Sequence, residues 1–221
     1  MVAVSTEKAR FNMIEQQIRP WDVLDRRVLE VFEQIPREAF VPEAYRNLAF
    51  ADIEIPIGHA EAMMAPKVEA RMMQALAVQP KDEALEIGTG SGFITACLAR
   101  LAARVTSIEI HAELAEAART RLTERRIANL ELRTGDALSH LGEQRYDVIA
   151  VTGSLPLADQ SHELAQCLTL GGRMFVVIGE APVMEATLVT RIWEDQYTVE
   201  SLFETELRPL VNARTPQRFH F

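Results

Sequence analysis

The chain is short of the residues that announce several common chemistries. Its two cysteines, Cys97 and Cys167, sit in apolar stretches without paired spacing. That argues against a disulfide framework and a cysteine-held metal, and predicts two small buried hydrophobes. No metal site is expected. Basic residues are in deficit, 23 Lys and Arg against 32 Asp and Glu, for a net charge of −9. A partner held by phosphate attraction is disfavoured, so no nucleic acid is expected. No run is long and apolar enough to span a bilayer, and the N-terminus, with Glu7 among its charges, lacks the apolar stretch of a secretory signal. The expectation is no membrane association and a cytoplasmic location. What remains is ordinary globular composition, 48% hydrophobic and 25% charged, in a length that suits one domain with a full core.

The informative stretch is Ala84-Leu85-Glu86-Ile87-Gly88-Thr89-Gly90-Ser91-Gly92-Phe93. A short apolar run carrying an acid turns through three glycines into an apolar helical pattern over residues 93–102, the strand–turn–helix context of a nucleotide-binding loop. A dinucleotide fingerprint would need glycine where Phe93 stands, and no lysine follows to make a phosphate loop. An acid with no phosphate-binding lysine suits a cationic adenosine compound, S-adenosyl-L-methionine. A second acid belongs about 20 residues on, at the next strand end, to meet ribose hydroxyls. Glu109 stands there, closing Arg104-Val105-Thr106-Ser107-Ile108-Glu109. Residues 130–133 form another strand leading to Gly135-Asp136-Ala137, where a carboxylate can meet an adenine amino group. Residues 146–151 make the next strand, followed by Thr152-Gly153-Ser154 at its carboxyl end.

Around this core the pattern predicts an α/β, Rossmann-like, doubly wound sheet. Residues 5–17 read as a helix with Phe11, Ile14 and Ile18 on one side. Asp22 is a candidate cap for a second helix running to Ile35. Phe40 and Val41 are anchors between two prolines, and residues 45–51 form a short amphipathic piece. These segments are expected to form an N-terminal helical cap. Residues 53–57 start as a short strand and become a loop, with His59 read as a surface or structural histidine. A helix over 67–77 places Val68, Met72 and Leu76 on one face, with Arg71 as a salt-bridge donor. Further helices are expected over 111–125 and 160–168, with a buried strand over 173–178. Residues 186–193 and 197–203 then close the sheet as an antiparallel pair. Residues 1–78 are expected to be cap and active-site loop, and residues 79–221 the ligand-binding core, in one structural unit.

The chain resembles the protein-L-isoaspartate O-methyltransferases over nearly its whole length. The likeness lies in residues 31–41 with their Ile-Pro-Arg-Glu-x-Phe-Val, in Ile55-Pro56-Ile57-Gly58, Pro66, residues 86–93, Ser107-Ile108-Glu109, Gly135-Asp136 and Pro209-Leu210. The Ile-Pro-Ile-Gly block is the most specific of these. The resemblance implies a mainly parallel seven-stranded sheet with a reversed C-terminal hairpin, and S-adenosyl-L-methionine as methyl donor. The implied acceptor is a protein or peptide carrying an isoaspartyl residue, whose ester collapses to a succinimide. It also implies a cofactor shell of Met63, Met64, Glu86, Gly88, Thr89, Gly90, Ser91, Gly92, Glu109, Ile110, Asp136, Ala137 and Thr152.

One block departs from that pattern. Where the family shows Thr-Ile-Ser-x-Pro, this chain has Ala62-Met63-Met64-Ala65-Pro66, and Met64 occupies the place of the catalytic serine. Ser154, Thr152 and His59 are candidate substitutes, Ser154 foremost. Three readings therefore stand: isoaspartate repair with a modified loop, methyl transfer to another acceptor such as a small molecule, or a non-catalytic module that holds the cofactor. The oligomeric state is not legible.

Overall fold

A computed structural model describes residues 5–139 and 141–216. Ser5 caps α1 (Thr6–Met13) by accepting a hydrogen bond from the Lys8 amide. The chain continues as a π-helical turn, Ile14–Ile18, and a 3-10 turn, Arg19–Trp21. Met13, Ile14 and Ile18 face the core, whereas Phe11, expected there, is 62% exposed. The cap of α2 (Arg26–Gln34) is Asp25, not Asp22. Asp25 accepts from the Arg27 amide, while Asp22 sits in the left-handed region and ends the preceding turn. Phe40 and Val41 are buried as expected.

Residues 53–66 hold more structure than expected. β1 (Ile55–Gly58) and β2 (Glu61–Met63) form an antiparallel hairpin whose turn residues, His59 and Ala60, both have positive φ. Two positive φ values in succession match the twist of a tight hairpin. The hairpin leads into α3 (Pro66–Leu76), which buries Val68, Met72 and Leu76. Arg71 meets the Trp21 carbonyl at 3.1 Å and lies over the Phe203 ring, so it serves as a clamp on neutral groups and not as the expected carboxylate partner.

The main sheet consists of β3 (Glu83–Ile87), β4 (Arg104–Glu109), β5 (Leu130–Thr134), β6 (Tyr146–Leu155), β7 (Leu168–Glu180), β8 (Val183–Trp193) and β9 (Gln196–Glu204), in the order β5-β4-β3-β6-β7-β8-β9. The first five strands are parallel, and β8 and β9 are added antiparallel. The intervening helices are α4 (Phe93–Leu101), α5 (Ala112–Glu124) and α6 (Ala158–Ala165). The expected Rossmann-like α/β sheet and terminal hairpin are therefore present. Strand order reverses between β3 and β6, which leaves a crevice at their carboxyl ends, the place where open α/β sheets take ligands. Among the described residues no helix is long and apolar enough to cross a membrane.

A buried cation ties the N-terminal segments to α3 and to the chain just after β2. Arg37, fully inaccessible, donates to Glu69 Oε2 at 3.0 Å, to the Ala49 carbonyl at 2.8 Å and to the Met64 carbonyl at 2.7 Å. Its guanidinium also lies 5.4 Å from the centre of the Phe93 ring, which packs edge-on against Phe32 and Phe40. Burial pushes the Glu69 carboxyl up, and Arg37 pulls it back. Removing one member of such a pair leaves a charge without water or counterion. Arg37→Met is expected to lower unfolding stability by about 3–5 kcal/mol, read from urea midpoints. Arg37→Met combined with Glu69→Leu should recover part of that loss. A single variant as stable as wild type would show that the pair carries no such weight.

Candidate active site

The glycine loop leaves β3 and enters α4 through three residues of positive φ, Gly88 (94°), Gly90 (52°) and Gly92 (87°). Side chains at these positions would collide with what closes around them. A Cβ on Gly88 would lie 2.4 Å from Thr152 Oγ1, and one on Gly90 3.0 Å from Ile57 Cδ1. Both are therefore required as glycine by close approach as well as by dihedral. Thr152 donates its hydroxyl proton to the Ile87 and Gly88 carbonyls, at 2.9 and 2.6 Å. It can do so because β6 is irregular there, with four residues stepping from Ala150 to Ser154 against two on β7 from Phe175 to Val177. The irregularity turns Thr152 and Gly153 out of the ladder toward the crevice.

Beneath the loop lies a buried polar knot. Glu86 Oε2 accepts from Thr95 and Ser107 at 2.5 Å each, and the Ser107 hydroxyl is 2.5 Å from that of Thr89. Burial pushes the Glu86 carboxyl up to about 8, against the pull of those two hydroxyls, and the neighbouring Glu109 adds to the rise. Its Oε1 is buried without a partner among the described residues, and Glu86 is one wall of the small cavity lined also by Met63, Met64, Glu69, Ser91 and Phe93. Glu109, at the end of β4, accepts from the Gly90 amide at 2.8 Å and the His111 amide at 3.0 Å. Asp136 accepts from the Leu138 amide at 2.9 Å and from Asn212 at 3.0 Å.

These residues open onto a cleft of about 770 Å³ including its mouth, lined by Gly88, Gly90, Glu109, Ile110, Asp136 and Ala137 on the sheet side. Ile57, Ala62 and Met64 of the hairpin segment line the other side, and residues 207–211 close the third. That mixture of apolar wall with a few carboxylates suits a nucleoside. Among the described residues no cluster of three or more His, Cys, Asp or Glu is placed to hold a metal.

Residues 8–215 match the model of the protein-L-isoaspartate(D-aspartate) O-methyltransferase family. The chain belongs to this family. It is 37% identical over 203 residues to the protein-L-isoaspartate O-methyltransferase of Koribacter versatilis, covering 91% of this chain and 90% of that protein. It is 39% identical over 190 residues to that of Syntrophus aciditrophicus, covering 86% of each. One solved protein-L-isoaspartate O-methyltransferase superposes with a TM-score of 0.76 at 23% identity, over 93% of this chain and 66% of that one. A Plasmodium falciparum protein described as the same enzyme, solved with S-adenosyl-L-homocysteine, gives 0.74 at 18% identity over 94% and 98%. The family assignment makes this a methyltransferase with S-adenosyl-L-methionine as cofactor. The cradle described above fits such a group: glycines that admit close backbone approach, an unpartnered buried carboxylate oxygen, and acids at successive strand ends.

The geometry sorts the expected site residues. Gly88, Gly90, Glu109, Ile110, Asp136, Ala137, Thr152 and Met64 line the main cleft. Met63, Glu86, Thr89 and Ser91 line the adjoining cavity with Met64. Gly92 does neither: its positive φ caps α4, and a Cβ there would meet Ala118 at 3.2 Å. Ser154 does not face the cleft either. It is fully buried, its hydroxyl donates to the Leu207 carbonyl at 2.9 Å, and its amide donates to the Arg208 carbonyl at 2.8 Å. It ties the C-terminal segment to β6 and cannot substitute for a catalytic serine. His59 stacks on His111 at 4.5 Å between ring centres and meets Glu113 at 2.7 Å. Sequence reasoning missed His111, Glu54, Glu61 and residues 207–211 as cleft walls. Only the Pro209-Leu210 match hinted at the last of these.

Glu109→Ala, which removes an acceptor from the cleft, is expected to weaken S-adenosyl-L-homocysteine binding by about 1.5–3 kcal/mol, measured by calorimetry. Unchanged affinity in a folded variant would reduce Glu109 to a tie for the Gly90 and His111 amides. Glu86 supplies a pH test. Its folded value near 8 lies above its unfolded value near 4.5, so its protonated form stabilises the fold. That contribution is complete below the unfolded value and is lost as pH rises toward 8. Wild type is therefore expected to lose stability relative to Glu86→Gln between pH 5 and 8. Parallel urea midpoints across that window would refute the assignment.

Proposed function

We propose that the protein methylates the stray α-carboxylate of isoaspartyl residues in damaged proteins and peptides, with Met64 standing where relatives of the family carry a serine. What supports this reading is that a single cleft is lined by Glu109 and Asp136, by Ala62 and Met64, and by the exposed Glu54 and Arg208. An open mouth suits an extended peptide.

Bound S-adenosyl-L-methionine supplies an activated methyl group, whose C–S bond breaks with its electron pair passing to sulfur as a carboxylate oxygen forms the O–CH3 bond. The acceptor is already ionised near neutral pH, so no strong general base is required. The residues' work is positioning, which can supply about 7–11 kcal/mol. Glu109 and Asp136 are read as holding the adenosine end, with Ile110 and Ala137 packing on the ring. Gly88, Gly90, Thr89 and Ser91 are read as presenting backbone to the amino-acid end, where Met63 and Met64 exclude water. The methyl ester formed is neutral and is displaced by the backbone nitrogen of the following residue. Methanol leaves, and the resulting succinimide opens with water to aspartate or isoaspartate.

A loop hydroxyl aimed at the acceptor contributes a rate factor of about 10²–10³ in comparable preorganised sites. A thioether cannot donate that bond. Ala62→Thr combined with Met64→Ser is therefore expected to raise the rate of tritiated methyl transfer to an isoaspartyl peptide, with cofactor affinity nearly unchanged. Because Met64 is buried, thermal midpoints must accompany the assay. A wild-type rate that the double variant fails to exceed would show that Met64 is no handicap. No transfer by either protein would overturn the proposed acceptor.

A further inference from the structure

The cleft has too few donors for the acceptor it is read to take. A carboxylate needs N–H or O–H groups, and most hydroxyls nearby are committed; that of Ser91, which accepts from the Phe93 amide, belongs to the adjoining cavity and not to the main cleft. Thr152 gives its proton to the Ile87 and Gly88 carbonyls, Ser154 gives its own to the Leu207 carbonyl, and Thr95 and Ser107 bond Glu86. Ala62 and Met64 offer none. The lining is rich in carboxylates instead, with Glu54, Glu61, Glu109 and Asp136. An anionic acceptor entering such a site would be repelled without a cation. Among the described lining residues the one permanent cation is Arg208.

Arg208 is well placed for that task. Its backbone is held on both sides of the α-carbon: its own carbonyl accepts from the Ser154 amide, and the Leu207 carbonyl accepts from the Ser154 hydroxyl. Its neighbour Pro209 bridges to Ser154 in the β6 ladder. The side chain reaches across the mouth, and Nη1 donates to the Ala60 carbonyl at the hairpin tip. A guanidinium has five N–H groups in a planar fork, so that single bond leaves a pair free for a carboxylate. Glu54 lies within its field, with Glu206 acting on the same carboxyl. Burial pushes Glu54 up, and Arg208 opposes the rise. His111, the other side-chain nitrogen donor in the lining, stacks on His59, and its Nε2 is buried 3.7 Å from Glu61 without a hydrogen bond, so it brings no permanent charge to the mouth.

We propose that Arg208 binds the carboxylate that receives the methyl group, filling the role left vacant by the hydroxyl-free loop of Ala62 and Met64. This rests on the carboxylate-methylating reading above, and deepens it by naming what selects an anionic acceptor.

The test is carboxylate-against-amide discrimination at equilibrium. Wild-type protein saturated with S-adenosyl-L-homocysteine is titrated, by fluorescence anisotropy, into two labelled peptides that differ only in an isoaspartyl carboxylate or its carboxamide. Wild type is expected to prefer the carboxylate by about tenfold or more, the scale of a charge-assisted pair. Arg208→Met should abolish the preference while leaving carboxamide binding and S-adenosyl-L-homocysteine affinity within about twofold. Arg208→Lys should retain part of it because the charge is kept, whereas a purely structural bridge to Ala60 would let Arg208→Gln retain it as well. Arg208→Gln, also able to reach the Ala60 carbonyl, covers the case in which the methionine variant fails to fold. No preference in wild type, a preference retained by the methionine or glutamine variant, or binding of neither peptide would overturn the inference. A preference without methyl transfer when S-adenosyl-L-methionine replaces the product would leave Arg208 as the anion site and overturn the enzymatic reading alone.

Discussion

The site depends on a cation that does not line it. Arg37 is buried without solvent access, and its bonds run to three separate pieces of chain: Glu69 in α3, Ala49 at the end of the cap, and the Met64 carbonyl. Desolvating a guanidinium is costly unless its geometry and partners are nearly complete. The three partners therefore specify one another's positions. If the carbonyl of Met64 moves, a buried charge loses a bond. The segment that forms one wall of the cleft is thus as rigid as the core, even though it is not part of the main sheet. Phe93, the first residue of α4, lies beside the same guanidinium, which joins the glycine loop to the arrangement.

The other wall owes its shape to topology. Reversal of strand order between β3 and β6 parts two adjacent strand ends, and the irregularity in β6 then fills the gap with Thr152 instead of another ladder residue. Thr152 bonds two carbonyls at the neighbouring strand end and so ties down the start of the glycine loop. Glu109 has a comparable double duty. Its oxygens accept from the Gly90 and His111 amides, so the acid proposed to meet a ribose also fixes the loop that faces it.

The features legible in the sequence were those encoded within about twenty residues. Strand, glycine turn and helix leave a local signature, and Glu109 and Asp136 follow at spacings set by strand length. Helix faces such as Val68-Met72-Leu76 were readable for the same reason. The misreadings involve partners distant in sequence. Ser154 looked like a free hydroxyl because nothing local indicates that Leu207, 53 residues later, accepts its proton. Arg37 and Glu69 are 32 residues apart, and neither carries a pattern that separates a buried pair from two solvated charges. Asp22 and Asp25 are both acceptable caps on composition, and the turn ending at Asp22 decides between them. Phe11 was placed inward by a 3.6-residue period that does not hold once the chain widens at Ile14.

Residues 207–211 are the last described part of the cleft to be made. They are held by Ser154, whose amide and hydroxyl serve their carbonyls and whose own carbonyl accepts from the Leu210 amide. β9 ends at Glu204, so this wall follows the last strand of the sheet by only two residues. Cleavage just after β9 would leave Glu109 and Asp136 on the chain and remove the third wall together with the arginine at its mouth.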